Sequence, residues 1–191
     1  MTTTRLEAFS DAVIAILITI MVLELRVPDE ADLGALREVA PIFLVYVLSF
    51  VNLAIYWNNH HHLMVLTERI NGKILWANVH LLFWLSLVPF TTGWMGENDF
   101  AALPTTVYGI DFLLAAIAYF LLQTAIISIQ GPESRLARAI GRDLKGKASP
   151  LLYIAGISVA YLNRWIAIGL YVVVSLMWLI PDRRIESVVA K

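Results

Sequence analysis

Arg5-Leu6-Glu7-Ala8-Phe9-Ser10-Asp11 sets a cation, two carboxylates and a hydroxyl directly ahead of the apolar run Ala12–Val27. A carboxylate in a membrane helix costs roughly 2.5–3.5 kcal/mol at the bilayer centre and less near its end. Such a group needs a reason to be there. One reason is structural: Asp11 lies about a turn and a half after Arg5, so an ion pair or polar cap can fix the helix start. Another is a hydrogen-bonded network across helices, and Asn52, Asn59, Asn78 and His80 supply polar groups at membrane depth for it. Ser10 and Asp11 are expected to meet a network that includes His61 and Asn78. His60-His61-His62 also invites a metal reading. Successive helical residues point about 100° apart, so three adjacent histidines do not face one ion from a regular helix. His61 is expected to face the bundle while its two neighbours approach water. Asp11, Asp111, His61 and His80 have the right chemistry for acid–base work. No nucleophile–base motif, metal-ligand pair or phosphate loop accompanies them, so the chain reads as no enzyme, with no metal and no cofactor.

The elements that hold these groups follow from composition. Of 191 residues, 59% are hydrophobic and 15% charged, against roughly 45–50% and about 25% in soluble domains. Mean hydropathy is +0.73. A soluble fold of this size leaves too much surface to hide that apolar content. The net charge of −1 argues against nucleic acid as a partner. With no cysteine, disulfides, thiol catalysis and Cys–metal centres are excluded. The lipid bilayer is the expected surroundings, and the fold class is an all-α polytopic membrane protein.

A spanning helix needs about 20 apolar residues. Four stretches qualify readily. The region Leu151–Ile180 is too long for one span and short for two, with Asn163-Arg164 interrupting it. Loop charge decides. With the N-terminus in the cytoplasm and six spans, the inside segments hold Arg5, Arg69, Lys73, Arg135, Arg138, Arg142, Lys145, Lys147, Arg183, Arg184 and Lys191. The outside segments hold Arg26, Arg37 and Arg164. That is 11 against 3, a positive-inside bias. One long helix over 151–180 would put the basic 135–147 loop and the basic tail on opposite sides; a hairpin at Asn163-Arg164 keeps them together. The expected helices are about 5–27, 39–60, 73–95, 106–130, 149–162 and 164–181, with both termini cytoplasmic. Ser149-Pro150 reads as an N-cap and first helical position, and Pro181 as a stop. Asp11, Glu24 and the lack of a small-residue cleavage site argue against a cleaved signal peptide. Leu136, Ile140 and Leu144, between basic residues, read either as a short amphipathic helix or as a solvated loop.

Arg5-x-x-x-Phe9-Ser10-Asp11 at the opening of a first membrane helix resembles the lysosomal potassium channels of the transmembrane-protein-175 family, specifically their short prokaryotic relatives. Trp57 and His61 at the end of helix two, Asn78 in helix three and Pro89-Phe90 near its far end are further matches. The six-helix count and the chain length also agree. The resemblance implies a pore lined by first helices and constricted by rings of branched aliphatic side chains. Ile16 and Leu23 match the constriction positions. Thr19 matches the threonine layer tied to potassium preference. At about 100° per residue, Ala12, Ile16, Thr19 and Leu23 share one narrow face; Asp11 projects well away from it, and Ser10 nearly opposite. An Ile/Thr/Leu stripe by itself is also ordinary helix packing.

One helix cannot surround a pore, so the chain must self-associate, and cyclic symmetry closes a ring economically. The family's animal members carry two repeats and pair; a single-repeat chain should form a homotetramer. The function implied is passive potassium conduction with modest selectivity over sodium, in a prokaryotic inner membrane. The alternative is a secondary transporter of a small cation or solute, but no broken-helix pair or inverted repeat is visible. Thr106-Val107-Tyr108-Gly109 looks like part of a potassium-filter loop. It lacks that loop's first glycine and a preceding pore helix, and reads as the start of helix four.

Overall fold

In the computed structural model, residues 2–141 and 143–179 are described, and among them the only regular structure is helical. The Pro181 stop and the basic residues Arg142, Arg183, Arg184 and Lys191 lie outside the described residues. The helices are α1 (Thr3–Leu23), α2 (Leu33–Glu38), α3 (Ala40–Val65), α4 (Gly72–Glu97), α5 (Ala102–Gln130), α6 (Arg135–Ile140), α7 (Leu144–Val159) and α8 (Arg164–Leu179). Four of them, α1, α3, α4 and α5, are long and apolar enough to cross a membrane. The last two have 16 residues each, about 24 Å of helix.

Caps explain most starts. Thr2, Asp32, Asn71, Ser134 and Asp143 each accept a backbone N–H three residues on, satisfying one orphan donor of the first turn. Several boundaries differ from those expected. The first helix stops at Leu23 rather than about 27. Pro28 disfavours helical backbone at Val27, and Arg26 turns back to Glu97. The second long helix runs past residue 60 to Val65, because Leu63 and Met64 continue its buried stripe. The helix expected from 149 starts at Leu144, capped by Asp143 and not by Ser149. Ser149 is instead buried inside it, donating to the Lys145 carbonyl and accepting from Trp178 Nε1 at 2.8 Å. Pro150 therefore sits within the helix. The fourth long helix begins at Ala102, with Pro104 in its first turn. Tyr108 and Gly109 are helical there, not part of a filter-like loop.

The α7–α8 connection is a tight turn over 160–163. Asn163 Oδ1 accepts the backbone N–H groups of Trp165 and Ile166, so the polar interruption in the sequence starts the last helix. The short basic α6 is amphipathic, but its apolar face docks on the bundle: Leu136 and Ala139 are buried while Arg135 and Arg138 face outward.

Helix α4 is the centre of the bundle, touching α1, α3 and α5. Helix α5 carries α7 and α8 on its other side, and α8 also leans on α3. Glycines permit the closest crossings. Tyr171 of α8 enters a notch formed by Gly109 and Gly156 and donates to the Thr105 carbonyl at 3.3 Å. At the far end Arg26 Nη2 meets Glu97 Oε1 at 2.7 Å, tying the segment after α1 to the end of α4. Their side chains are 78% and 43% exposed, and exposed pairs contribute roughly 0–1 kcal/mol. Arg26→Ala is expected to shift the thermal midpoint of the purified protein only slightly; a loss of folded protein would contradict this reading.

Candidate functional site

Helix α1 has two unlike faces. Leu6, Ser10, Ile14, Leu17 and Met21 are buried, spaced three and four apart as one stripe. They pack on α3 and α4. Ala12, Ile16, Thr19, Ile20 and Leu23 are exposed in the single chain; Ile16 is 55% and Leu23 79% exposed. The Thr19 hydroxyl donates to the Ile16 carbonyl at 2.8 Å. Its proton is thereby committed to the helix, which leaves its lone pairs turned outward as acceptors.

The buried face of α1 is held by a polar relay. Asn78 Nδ2 of α4 donates to Ser10 Oγ at 2.9 Å. Ser10 Oγ donates in turn to the Leu6 carbonyl at 2.9 Å. Asn78 Oδ1 accepts from His60 Nε2 of α3 at 2.7 Å. Ser10, His60 and Asn78 are all fully buried. One short chain of hydrogen bonds therefore joins α1, α4 and α3 at the end of the bundle that carries the Arg5–Asp11 motif.

His60 thus takes the place expected for His61. The reason is helical phase: Ser49, Leu53, His60, Leu63 and Met64 lie on one buried stripe of α3, and His61 is turned about 100° off it. His61 is half exposed and meets Glu7 Oε1 through Nδ1 at 2.6 Å. Glu7 and His60 are the residues that sequence reasoning missed, and phasing helix two on its apolar stripe was the signal for His60. Asp11 is partly buried, and its Oδ1 has no hydrogen-bond partner among the described residues. Arg5 and Phe9 are exposed, and no Arg5–Asp11 ion pair forms among the described residues.

A second polar cluster lies further along the bundle. Ser49 Oγ is 2.7 Å from Thr92 Oγ1 and 3.1 Å from the Tyr108 hydroxyl. Asn52 Oδ1 accepts from Ser175 at 3.0 Å, joining α3 to α8. Buried polar groups need such partners in a bundle with no water around it.

A family model described as the endosomal/lysosomal potassium channel TMEM175 matches residues 5–89, the stretch that contains the relay and most of α1 and α4. A protein of Chryseobacterium sp. (strain P1-3), named as a potassium channel, is 51% identical over 187 residues, covering 98% of this chain and 97% of that one. The chain belongs to the TMEM175 family. The crystal structure of a lysosomal potassium-selective channel TMEM175 homolog from Chamaesiphon minutus superposes with a TM-score of 0.84. It is 28% identical, and the match covers 94% of this chain and 97% of that one. The TMEM175 of Gallus gallus, named as an endosomal/lysosomal proton channel, is 26% identical over 73% of this chain and 31% of its own length. The TMEM175 family is one of ion channels, not enzymes.

Proposed function

We propose that this chain conducts potassium passively as a homotetramer, with α1 of each copy lining a central pore. The carrying observation is the α1 face that the single chain leaves uncovered. Its opposite face is fixed by packing and by the Ser10–Asn78–His60 relay, so Ile16, Thr19 and Leu23 are presented on a rigid wall. Four such walls around one axis give rings of Ile16 and Leu23 side chains. A narrow apolar ring gates by dewetting. A ring of Thr19 oxygens between them can replace part of an ion's hydration shell and favour potassium modestly over sodium.

The same reading places six spans in the bilayer, with α7 and α8 as a short hairpin and both termini cytoplasmic. Eleven of the fourteen lysines and arginines then gather on the inner side, and Asp29, Glu30, Asp32, Glu97 and Asp99 on the outer. The membrane is the inner membrane of a prokaryote. The permeating potassium ion is cargo, and no cofactor is invoked.

The test is a planar-bilayer recording of purified protein with potassium on one side and sodium on the other. Currents should reverse toward the potassium potential. Ile16→Asn wets the constriction and should raise the current, and Thr19→Val should lower the potassium preference. Absence of unitary current from a verified folded oligomer, or indifference to the Ile16 change, overturns the proposal.

A further inference from the structure

The helices α3, α5, α7 and α8 surround a small cleft of about 60 Å³, partly open to the surroundings. It lies on the side of the bundle away from α1, where α3 and α8 end and α7 begins. Tyr56, Tyr119, Tyr153 and Trp178 form much of its wall. Two of these rings are fixed by their own polar tips: the Tyr119 hydroxyl donates to the Asn59 carbonyl, and Trp178 Nε1 donates to Ser149 Oγ. Tyr56 and Tyr119 meet edge to face at 6.2 Å. The wall is therefore a set of positioned aromatic surfaces.

We propose that this cleft is a binding site for a small alkylammonium ion, held between its aromatic walls and the carboxylate of Asp143. Asp143 is the one charged residue among the described residues that line it. Aromatic faces attract cations through their quadrupole, most strongly where water is excluded, and a carboxylate supplies the counter-charge. Both features repel anions. The wall already meets an ammonium at its edge: Lys145 Nζ lies 5.8 Å from the Trp178 ring centroid.

Polar side chains also converge on the cleft without partners of their own. Gln123 is 7% and Tyr153 3% exposed. Both line the space, and neither the Gln123 carboxamide nor the Tyr153 hydroxyl has a hydrogen-bond partner among the described residues. Neither is among the fully enclosed polar atoms left without a partner, so both reach the cleft and can bond to what enters it. Water can bond to them but gains nothing from the aromatic walls. An alkylammonium satisfies both, its N–H groups or polarised C–H groups meeting the oxygens and its carbons meeting the rings. The ammonium can belong to a free amine or to an ethanolamine lipid headgroup, because the cleft lies close to the ends of three helices.

The test is calorimetric titration of ethylammonium chloride into the purified protein in nanodiscs of phosphatidylglycerol, at constant ionic strength in a sodium buffer. One saturable site per chain is expected. Asp143→Asn should weaken binding about tenfold or more. Asparagine still caps α7, so the fold is retained. Gln123→Leu should weaken binding less. Ile16→Asn, on the α1 face, should leave it unchanged, so the cleft stands or falls independently of the pore. In phosphatidylethanolamine nanodiscs, loss of the titration identifies the headgroup as occupant and persistence identifies a free amine; either supports the site. No saturable binding in phosphatidylglycerol, equal binding by Asp143→Asn, displacement by potassium at equal concentration, or sensitivity to Ile16→Asn overturns it.

Discussion

Gly96→Leu is expected to abolish the folded protein, and Gly96→Ala to cost about 1–3 kcal/mol, the range for overpacking a fitted site. A Cβ at Gly96 would stand 2.6 Å from the Ile42 Cα and 2.8 Å from its Cβ. The obstacle is the backbone of α3, not the tip of a flexible side chain, so relief requires the two helices to part. That would strain the neighbouring Ser49–Thr92 bond, which joins the same pair. Close approach through small residues is a main source of helix association in membranes, where the lipid is as apolar as the side chains. The control is Gly169→Ala, where nothing lies within 4 Å of the added carbon. It should be neutral or slightly stabilising, as alanine exceeds glycine by about 1 kcal/mol in helices. Fluorescence-detected size exclusion after heating reads both. Equal midpoints for Gly96→Ala and Gly169→Ala would show that the α3–α4 contact is looser than described.

Helix identity was legible because the four long spans are continuous apolar runs that tolerate one reading. Ends were less so. Local cap rules favoured Ser149-Pro150 as a start, but Asp143 competes for the same role, and burial of Ser149 under Trp178 depends on α8, which no local rule sees. The Gly96 and Gly109 contacts were invisible for the same reason. A glycine in an apolar helix does not announce which backbone or ring will lie against it. Conversely, the exposed and buried faces of α1 could be phased from its residues, since Ser10 marks one side and the Ala12–Ile16–Thr19–Leu23 stripe the other. The cleft beside Asp143 could not be found at all in the sequence, because its wall comes from four helices.

The His60–Asn78–Ser10 relay yields the last expected result, and it separates two histidines adjacent in sequence. Asn78→Leu removes at once the two bonds that Asn78 makes in the relay. A membrane-buried hydrogen bond contributes on average about 0.6 kcal/mol, with about 1.7 as the upper end, because the unfolded chain in the bilayer also finds partners. Stranding the partner is costlier, about 1–3 kcal/mol for a buried neutral group. Ser10 keeps its bond to the Leu6 carbonyl, so most of the loss falls on His60 Nε2. His60 Nδ1 already has no partner among the described residues, so the ring would lose its one hydrogen bond. Asn78→Leu and His60→Ala should therefore each cost roughly 2–4 kcal/mol, the second through the stranded carboxamide and the space left by the ring. His61→Ala breaks a pair in which His61 itself is half exposed and should cost at most about 1 kcal/mol. Thermal midpoints of the three purified variants check the order. If His61→Ala proved as damaging as His60→Ala, the phase of α3 would be wrong by one residue, and α1 would be anchored through Glu7 and not through Ser10. The double change of Asn78→Leu with His60→Ala should cost less than the sum of the singles, since groups joined in one relay do not lose it twice.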